Sequence, residues 1–393
     1  MKHRFIHRMV FLVLTPIFRM FFRWRYRFKP DRFSYKNRKK GPYLILSNHA
    51  LSIDPLLVAT SFKGPIYYVA SDIIFTMGLL SKLIRFLVSP IPKTKSRSDM
   101  ETIRDIMRRV KKGYNIGIFP EGNSTFTGET MTITKATPKL VKLLKVPVIF
   151  YHIEGGYFTK PRWGRHLRKG RTRGVIHSIW EPEDYKDLTI EQIAAHIEKE
   201  LYVNDHELQK HRKIPYKGKN LAEDFESSFY VCPSCNSFHS LYSLKNKIHC
   251  QQCDLSVLYT KTGELIDTPQ QIENTIDWYD FQVNASKRYL DTTRDAIFFE
   301  EHFPKTFKIE KSQKKRPIGP SKVVLRRETL KIENSHETLT IDIKDVTCAV
   351  QQKNKLIIYQ SGTPTIYYLV GKKKTNALKY VTFTDILNKR EVY

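Results

Sequence analysis

A histidine and an aspartate stand five residues apart in the segment LSNHALSIDPLL, residues 46–57, and this pair could perform acid–base chemistry. A histidine near neutral pKa can take a proton from a hydroxyl group. A carboxylate on its other ring nitrogen fixes the tautomer and stabilises the imidazolium that forms. One straight helix would separate His49 from Asp54, because side chains that meet on a helix are three or four residues apart. The pair therefore needs a loop that brings the two side chains together.

The flanking residues predict such a loop. PYLILS, residues 42–47, is typical of a strand that ends near Ser47, and Pro55 suits the first helical position. We expect Asp54 at the N-cap of that helix and His49 in the loop before it. The alternative is that Asp54 only caps a helix and that His49 is an ordinary loop residue.

Short apolar runs alternate with helical patterns between residues 41 and 205, which predicts an α/β fold. In open α/β sheets, ligands bind at the carboxyl ends of the strands. Two more predicted strands end in polar loops, GIFPEGNST and SPIPKTKSR, and the cations of the second loop could hold a phosphate. The candidate residues in these loops are Glu121, Gly122, Lys93, Lys95 and Arg97.

The order and spacing of these blocks resemble the glycerolipid acyltransferase family, best known from the 1-acylglycerol-3-phosphate acyltransferases. The resemblance rests on Asn48, on the His49-x4-Asp54 pair, on FPEG at 119–122 and on VPVI at 146–149. It implies that His49 is the general base on the acceptor's free hydroxyl, that Asp54 orients His49, and that the hydroxyl attacks an acyl thioester. It implies neither a metal nor a covalent acyl-enzyme in this step.

The resemblance also implies where substrate binds. Glu121 and Gly122 would position the acceptor, with Asn48 beside them, and Lys93 stands where the family usually has an arginine that contacts the acceptor phosphate. Lysine binds phosphate as a point charge, without the bidentate fork of arginine. A second departure is Ser124, which replaces the arginine of the commoner FPEGTRS. These departures leave open another lysophospholipid, or a phosphate held by Lys95, Arg97 or the basic segment 160–173.

Four of the five cysteines form two CxxC pairs with fourteen residues between them. Two such pairs supply four thiolates for a tetrahedral Zn²⁺, and a closed four-ligand site has a structural role. Substitution of one ligand by His239 or His249 is a minor alternative. The predicted ligands are Cys232, Cys235, Cys250 and Cys253; Cys348 lies outside every motif and is assigned no nucleophilic role.

The chain carries a formal net charge of +28, which fits a partner that bears phosphate. Residues 1–40 contain thirteen lysines and arginines against one acid, Asp31. Their longest charge-free stretch, residues 9–18, has ten residues, whereas a spanning helix needs about 20. We expect an interfacial helix on the cytoplasmic face of a membrane, in a peripheral or monotopic protein, with apolar segment 73–88 as a second candidate for immersion. The polar face of this helix, opposite its apolar face, contains Arg4, Arg8, Thr15, Arg19 and Arg23. The alternative is an amphipathic helix packed on the protein's own core.

These patterns predict an α/β catalytic domain followed by a zinc ribbon and a small, mostly β C-terminal domain that weakly resembles a pleckstrin-homology or GRAM domain. The predicted parts are a basic interface segment (1–40), the acyltransferase domain (41–205), a linker (206–228), the ribbon (229–257), a helical connector (258–299) and the β domain (300–393). The expected reaction moves a fatty acyl group from acyl-CoA or acyl carrier protein to a lysophospholipid, foremost 1-acylglycerol-3-phosphate. Another acceptor, such as glycerol-3-phosphate, is one alternative; a non-catalytic ribbon protein that binds nucleic acid or protein at the membrane is the other. Nucleic acid is the disfavoured partner, because most of the excess charge lies among lipid-facing aromatic residues.

Overall fold

The computed structural model describes residues 2–36, 41–71, 89–93, 100–293, 297–310, 315–335, 337–390 and 392. The chain forms two compact units. Unit 1 comprises Met1–Thr94, Ser98–Pro161 and Leu167–Gly218, and unit 2 comprises Lys95–Arg97, Arg162–His166 and Lys219–Tyr393. Lys95, Arg97 and segment 73–88 were singled out from the sequence and lie outside the described residues.

Unit 1 contains a seven-stranded sheet. Its strands are β1 (Phe28–Pro30), β2 (Leu44–Ser47), β3 (Ile66–Ser71), β4 (Ile91–Lys93), β5 (Asn115–Ile118), β6 (Val148–Glu154) and β7 (Thr172–Trp180). They lie in the order β1-β7-β6-β2-β5-β3-β4. Strands β2 to β6 run parallel to one another, and β7 is antiparallel to β6. The α/β fold predicted from the alternating pattern is confirmed.

Helices accompany this sheet. They are α1 (Lys2–Arg25), α2 (Asp54–Ala59), α3 (Met100–Lys111), α4 (Ala136–Leu144), α5 (Gly156–Thr159), α6 (Pro182–Tyr185), α7 (Ile190–Leu201) and α8 (Asp205–Arg212). Local sequence explains some of the boundaries. Thr189 accepts a hydrogen bond from the amide of Gln192, and the side chain of Gln192 reaches back to the amide of Thr189, which starts α7 with a capping box.

Both faces of the sheet are buried, as expected of parallel strands covered by helices. Neighbouring residues of β2 point to opposite faces, so that Leu44 and Leu46 join one apolar cluster and Ile45 joins the other. This burial on two sides holds the carboxyl ends of the central strands in fixed positions. The polar loops that follow those strands are therefore carried by the buried centre of unit 1.

Segment 206–228, which its polarity predicted to be a linker, has regular structure. It contains α8 and the short 3₁₀ helix Phe225–Ser227, and both Leu221 and Phe225 are buried. The boundary between the two compact units falls within it, after Gly218. Its apolar residues are too widely spaced to give a helical or strand periodicity, which is why the sequence pattern did not show this burial.

Unit 2 begins with a four-stranded antiparallel sheet that carries the cysteines. Its strands are β8 (Leu241–Leu244), β9 (Lys247–Cys250), β10 (Ser256–Tyr259) and β11 (Leu265–Ile266), in the order β11-β10-β9-β8. Helix α9 (Thr275–Thr292) follows, and the side chain of Asn274 caps it by accepting from the amides of Ile276 and Asp277.

The C-terminal part of unit 2 is a seven-stranded antiparallel sheet followed by a helix. Its strands are β12 (Phe299–Ile309), β13 (Lys315–Leu325), β14 (Thr329–Glu333), β15 (Thr338–Asp342), β16 (Val346–Gln351), β17 (Lys355–Gln360) and β18 (Ile366–Val370), with the 3₁₀ helix Ile343–Asp345 and the final helix α10 (Leu378–Leu387). The order is β15-β14-β13-β12-β18-β17-β16, so that the long strand β12 pairs with both β13 and β18. The predicted β-rich C-terminal region is confirmed; its likeness to a pleckstrin-homology or GRAM domain stays a prediction.

Candidate active site and cysteine cluster

The carboxyl ends of β2 and β5 meet at one edge of the unit 1 sheet. His49 lies two residues after β2, and Glu121 lies three residues after β5. The amide of His49 donates to Glu121 Oε1 at 2.6 Å, and the amide of Thr125 donates to the carbonyl of His49 at 2.9 Å. Because β2 and β5 are parallel and adjacent, His49 and Glu121, which are 72 residues apart in sequence, belong to one site.

The predicted pair is in direct contact. His49 Nδ1 lies 2.8 Å from Asp54 Oδ2, and the carboxylate can only accept, so Nδ1 carries the proton. In the neutral ring the lone pair is therefore on Nε2, which makes no hydrogen bond to any residue that the structure describes. The His49 side chain is 19% exposed and the Asp54 side chain is fully buried. This arrangement leaves one basic nitrogen accessible beside a buried carboxylate.

Asp54 holds the loop as well as the imidazole. Its Oδ2 also accepts hydrogen bonds from the amides of Ala50 and Leu51, at 2.7 and 2.8 Å. The expected N-cap role is corrected here: Ile53 occupies the N-cap position, Asp54 is the first residue of α2, and its carboxylate turns back to the loop instead of capping the helix. Burial raises the pKa of Asp54 above its usual range, and the hydrogen bonds from His49 and the two amides oppose that shift.

Glu121 is 4% exposed and uses both carboxyl oxygens inside the protein. Oε1 accepts from the amide of His49, and Oε2 accepts from the amide of Met131 at 2.8 Å. Burial raises the pKa of Glu121 to about 8, against the lowering effect of these two bonds. Glu121 therefore links the loop of His49 to the chain around Met131. Its predicted contact with the acceptor stays a prediction.

Asn48 is similarly engaged within the fold. Its Nδ2 donates to the carbonyl of Ile153 at 3.0 Å, and its Oδ1 accepts from the amide of Ile153 at 2.7 Å. These bonds tie the end of β2 to the end of β6. Gly122 has a positive φ of 71°, and open space surrounds the position of an added Cβ. Lys93 is the last residue of β4 and pairs with Ser71 of β3.

The basic segment 160–173, an alternative phosphate site, has several of its cations engaged. Arg165 pairs with Glu223, and Arg162 donates to the carbonyl of Val350, all within unit 2. Arg168 in unit 1 is 3% exposed. The segment's role as an alternative phosphate site stays a prediction, since Arg162 and Arg165 have partners whereas Lys169 and Arg171 are exposed.

Aromatic rings form a stack behind His49 that the sequence pattern did not reveal. The imidazole lies 4.6 Å from the Phe119 ring, and Phe119 stacks on Tyr68 with centroids 5.8 Å apart. Gly117 makes room for Tyr68, since an added Cβ would lie 2.3 Å from that ring. The sequence contains one signal for this ring stack, because Phe119 directly precedes the PEG residues of the FPEG motif.

Asp205, at the start of α8, is a third buried carboxyl group near the site. It accepts hydrogen bonds from the amides of Gly155 and Tyr157, and it borders the same small cavity as His49 and Glu121. Burial raises its pKa to about 7. No motif marks Asp205, since its partners lie 50 residues earlier in the sequence.

Comparison with known proteins agrees with the motifs. Residues 32–153 match the family model described as Acyltransferase. This part of the chain is similar to the acyltransferase family. The match contains the whole acid–base pair and the FPEG block, and it confirms the family predicted from the sequence.

One solved structure has a limited overall likeness. The chain is similar to the crystal structure of the 1-acyl-sn-glycerophosphate (LPA) acyltransferase PlsC from Thermotoga maritima. The two share 19% sequence identity with a TM-score of 0.42, over 52% of this chain and 81% of that one.

The four cysteines of unit 2 form a compact cluster. Their sulfur atoms all lie within 4.8 Å of one another, with 3.7 Å between Cys232 and Cys253 and 3.8 Å between Cys235 and Cys250. A tetrahedral ion with metal–sulfur bonds of about 2.3 Å requires sulfur separations of about 3.8 Å. The donor set and its spacing therefore fit a metal ion.

Neighbouring groups orient these sulfurs. Ser237 Oγ lies 2.9 Å from Cys235 Sγ, and the amide of Gln252 donates to Cys250 Sγ at 3.3 Å. The alternative ligands are not in the cluster: the ring of His239 stacks near Tyr230, and that of His249 stacks on Tyr242.

Helix α1 presents an apolar stripe to solvent. Its other side packs on unit 1 through His7, Thr15 and Phe22, and Arg19 donates to the carbonyl of Thr60 at 2.7 Å. Two residues of the predicted arginine arc, Thr15 and Arg19, therefore face the protein. The exposed apolar residues are Met9, Leu12, Val13, Ile17, Met20, Phe21 and Trp24. No helix in the described part of the chain is long and apolar enough to cross a membrane.

Proposed function

We propose that the chain transfers a fatty acyl group from a thioester donor, acyl-CoA or acyl carrier protein, to the free hydroxyl of a lysophospholipid. The observation that supports this most is the contact of 2.8 Å between His49 Nδ1 and Asp54 Oδ2, which leaves His49 Nε2 as the accessible base. The acyltransferase family of residues 32–153 provides the reaction class.

In the proposed mechanism, His49 Nε2 takes the proton of the acceptor hydroxyl as its oxygen attacks the thioester carbonyl. Asp54 keeps the imidazole in the reactive tautomer and stabilises the imidazolium. When the tetrahedral intermediate collapses, the carbon–sulfur bond breaks and the imidazolium returns the proton to the departing thiolate. The products are an ester and a free thiol, and the enzyme regains its starting protonation.

The acceptor we propose first is 1-acylglycerol-3-phosphate, with Lys93 as the cation that meets its phosphate. Lys93 ends β4 at the same edge of the parallel sheet as His49 and Glu121. Because lysine provides a point charge rather than a fork, other lysophospholipids and glycerol-3-phosphate are the alternatives within the same reaction.

We further propose that the protein works at the cytoplasmic face of a membrane. Both substrates carry acyl chains, and the exposed stripe of α1 gives the enzyme an apolar surface bordered by cations. Each Lys or Arg near an anionic surface contributes about 1 kcal/mol of attraction. The cysteine cluster would hold a structural Zn²⁺, since four thiolates complete a tetrahedral shell and leave no open position.

The experiment is a transfer assay with the full chain in detergent. Labelled acyl-CoA and acyl carrier protein would be tested against a panel of lysophospholipids and glycerol-3-phosphate. We expect transfer to one acceptor, loss of transfer in His49→Ala, and a decrease of about 10²–10⁴-fold in kcat for Asp54→Asn. His206→Ala is a control, because this histidine of unit 1 contacts Thr127 rather than His49. Equal transfer by wild type and His49→Ala would contradict the assignment of His49 as the base, and no transfer to any acceptor with either donor would favour a non-catalytic role at the membrane.

A further inference from the structure

Two lysines of the C-terminal sheet are half-buried together. Strand register places Lys315 opposite Ile309, and Ile309 opposite Ile366 of β18. Lys355 lies opposite Val370 of the same strand. Because side chains alternate along a strand, residues 366, 368 and 370 share one face, and both lysines lie on that face.

Tyr368 lies between the two lysines and is itself held in place. The ammonium of Lys315 lies 3.7 Å from the centroid of the Tyr368 ring. The hydroxyl of Tyr368 donates to Gln351 Oε1 at 2.8 Å, and Gln351 is directly opposite Lys355. The four side chains therefore lie on one face of the sheet, on strands β16 to β18 and at the start of β13.

Neither lysine has a carboxylate partner among the described residues, although the sheet supplies such partners elsewhere. Lys322 pairs with Glu300 at 2.8 Å, and Lys344 pairs with Asp342 at 3.5 Å. Partial burial lowers the pKa of both Lys315 and Lys355, and repulsion from Lys355 lowers the pKa of Lys315 further. Two half-buried like charges repel each other, and an anion bound between them would relieve this repulsion.

We propose that Lys315 and Lys355 bind a phosphate-bearing ligand on this face of the C-terminal sheet. A phosphate dianion matches the two positive charges, and its tetrahedral oxygens suit ammonium groups, which lack the planar fork that selects a carboxylate. The ligand is either free phosphate or the headgroup of an anionic phospholipid. All four of its side chains belong to unit 2, whereas His49 and Asp54 belong to unit 1.

The test measures thermal unfolding of the full chain in detergent with increasing inorganic phosphate, at constant ionic strength kept with chloride. Wild type should gain about 2–4 °C at saturating phosphate, because the ligand binds only the folded state. The double variant Lys315→Met/Lys355→Met should unfold at a higher temperature than wild type without phosphate, and should lose the phosphate shift. Lys344→Met is the matched control, with the wild-type shift expected.

A second measurement separates the two sources of phosphate. Vesicles of phosphatidylcholine with and without phosphatidate would be mixed with wild type and with the double variant, and the bound fractions compared. A phosphate shift in wild type alone identifies the free ion, and a binding difference confined to phosphatidate vesicles identifies the headgroup. Equal responses of wild type and double variant to both probes would overturn the proposal. If the Met variant folds poorly, the double variant Lys315→Gln/Lys355→Gln replaces it. The linewidth of the ³¹P resonance of phosphate, compared between this variant and wild type, is then an independent measure of binding.

Discussion

Glu121 is a carboxyl group whose proton is linked to folding. Its pKa in the folded protein, about 8, lies above the value of 4.5 for a free glutamate. Between these two values the folded state keeps a proton that the unfolded chain has released. The stability contributed by this group is complete below about pH 4.5 and is lost as the pH rises through 8.

We therefore predict that the unfolding free energy of wild type decreases as the pH rises from 5 to 8. Relative to Glu121→Gln, the decrease should reach about 1.4 kcal/mol per pH unit. The glutamine variant is less stable at low pH, because its amide nitrogen cannot accept from the backbone and one buried amide loses its acceptor, at a cost of about 1–3 kcal/mol. Urea unfolding of both proteins at pH 5, 6, 7 and 8 measures the difference in slope. Parallel stability curves would show that Glu121 is ionised throughout.

The stack behind His49 connects a strand glycine to the catalytic imidazole. Gly117 in β5 leaves the space that the ring of Tyr68 fills. Tyr68 stacks on Phe119, and the tilted ring of Phe119 lies 4.6 Å from the imidazole of His49. We predict that Gly117→Ala destabilises the protein by about 1–3 kcal/mol, because an added Cβ forces Tyr68 to move. The rate of acyl transfer should decrease as well, since the support of the imidazole shifts.

The control for this prediction is a double-mutant cycle. In the Tyr68→Leu background, the ring that the new Cβ would meet is absent. Gly117→Ala should therefore lower the unfolding free energy less in this background than in wild type. Additive losses in unfolding free energy would show that the glycine acts through another contact.

The cysteine cluster predicts a metal-dependent element in unit 2. We expect one Zn²⁺ per chain by elemental analysis. Cys235→Ser should lose it and lower the unfolding temperature, because the loops that carry the sulfurs are held together by the ion. Cys348→Ser is the control, since this buried cysteine lies outside the cluster and should leave the zinc content unchanged. Full zinc occupancy in Cys235→Ser would rule out the proposed ligand set.

Local pattern was sufficient for those parts of the fold whose signal lies within a few residues. The end of β2 before His49, the end of β5 before Glu121 and the CxxC pairs all follow from short motifs. Long-range hydrogen bonds decided the rest. Asp54 is not an N-cap because the amides of Ala50 and Leu51 compete for its carboxylate, and Asn48 is held by β6, about one hundred residues away.

Strand β12 shows a second reason for failure. Its sequence, FEEHFPKTFKI, contains a proline and many charges, and its register with β13 shifts near Phe303 and Thr306, so its alternation is interrupted. The sequence pattern therefore does not predict a strand here, although β12 is the central strand of the C-terminal sheet. Pairing on both sides outweighs the unfavourable local sequence.

For the whole molecule, the net charge of +28 and the stripe of α1 favour the same partner, an anionic lipid surface. A packed helix would hide its apolar side, whereas Val13 and Trp24 are 58% and 77% exposed. A single face about three turns long results, because intervals of three or four residues separate Val13, Ile17, Met20 and Trp24. We propose that this face binds a membrane by contact with the lipid–water interface.

We predict that Val13→Glu/Ile17→Glu lowers the fraction of protein that floats with vesicles of phosphatidylcholine and phosphatidylglycerol by at least about tenfold. Each glutamate would place a negative charge on the face of the helix that enters the lipid interface. Both side chains point to solvent, so the fold should be unchanged by circular dichroism. Leu143→Glu is the matched control, because Leu143 is an equally exposed apolar residue of α4, at 47%. Raising the salt concentration should weaken flotation of wild type without abolishing it, since screening removes the attraction of the cations but not the apolar contact. Unchanged flotation of the double variant would transfer the anchoring role to another part of the chain.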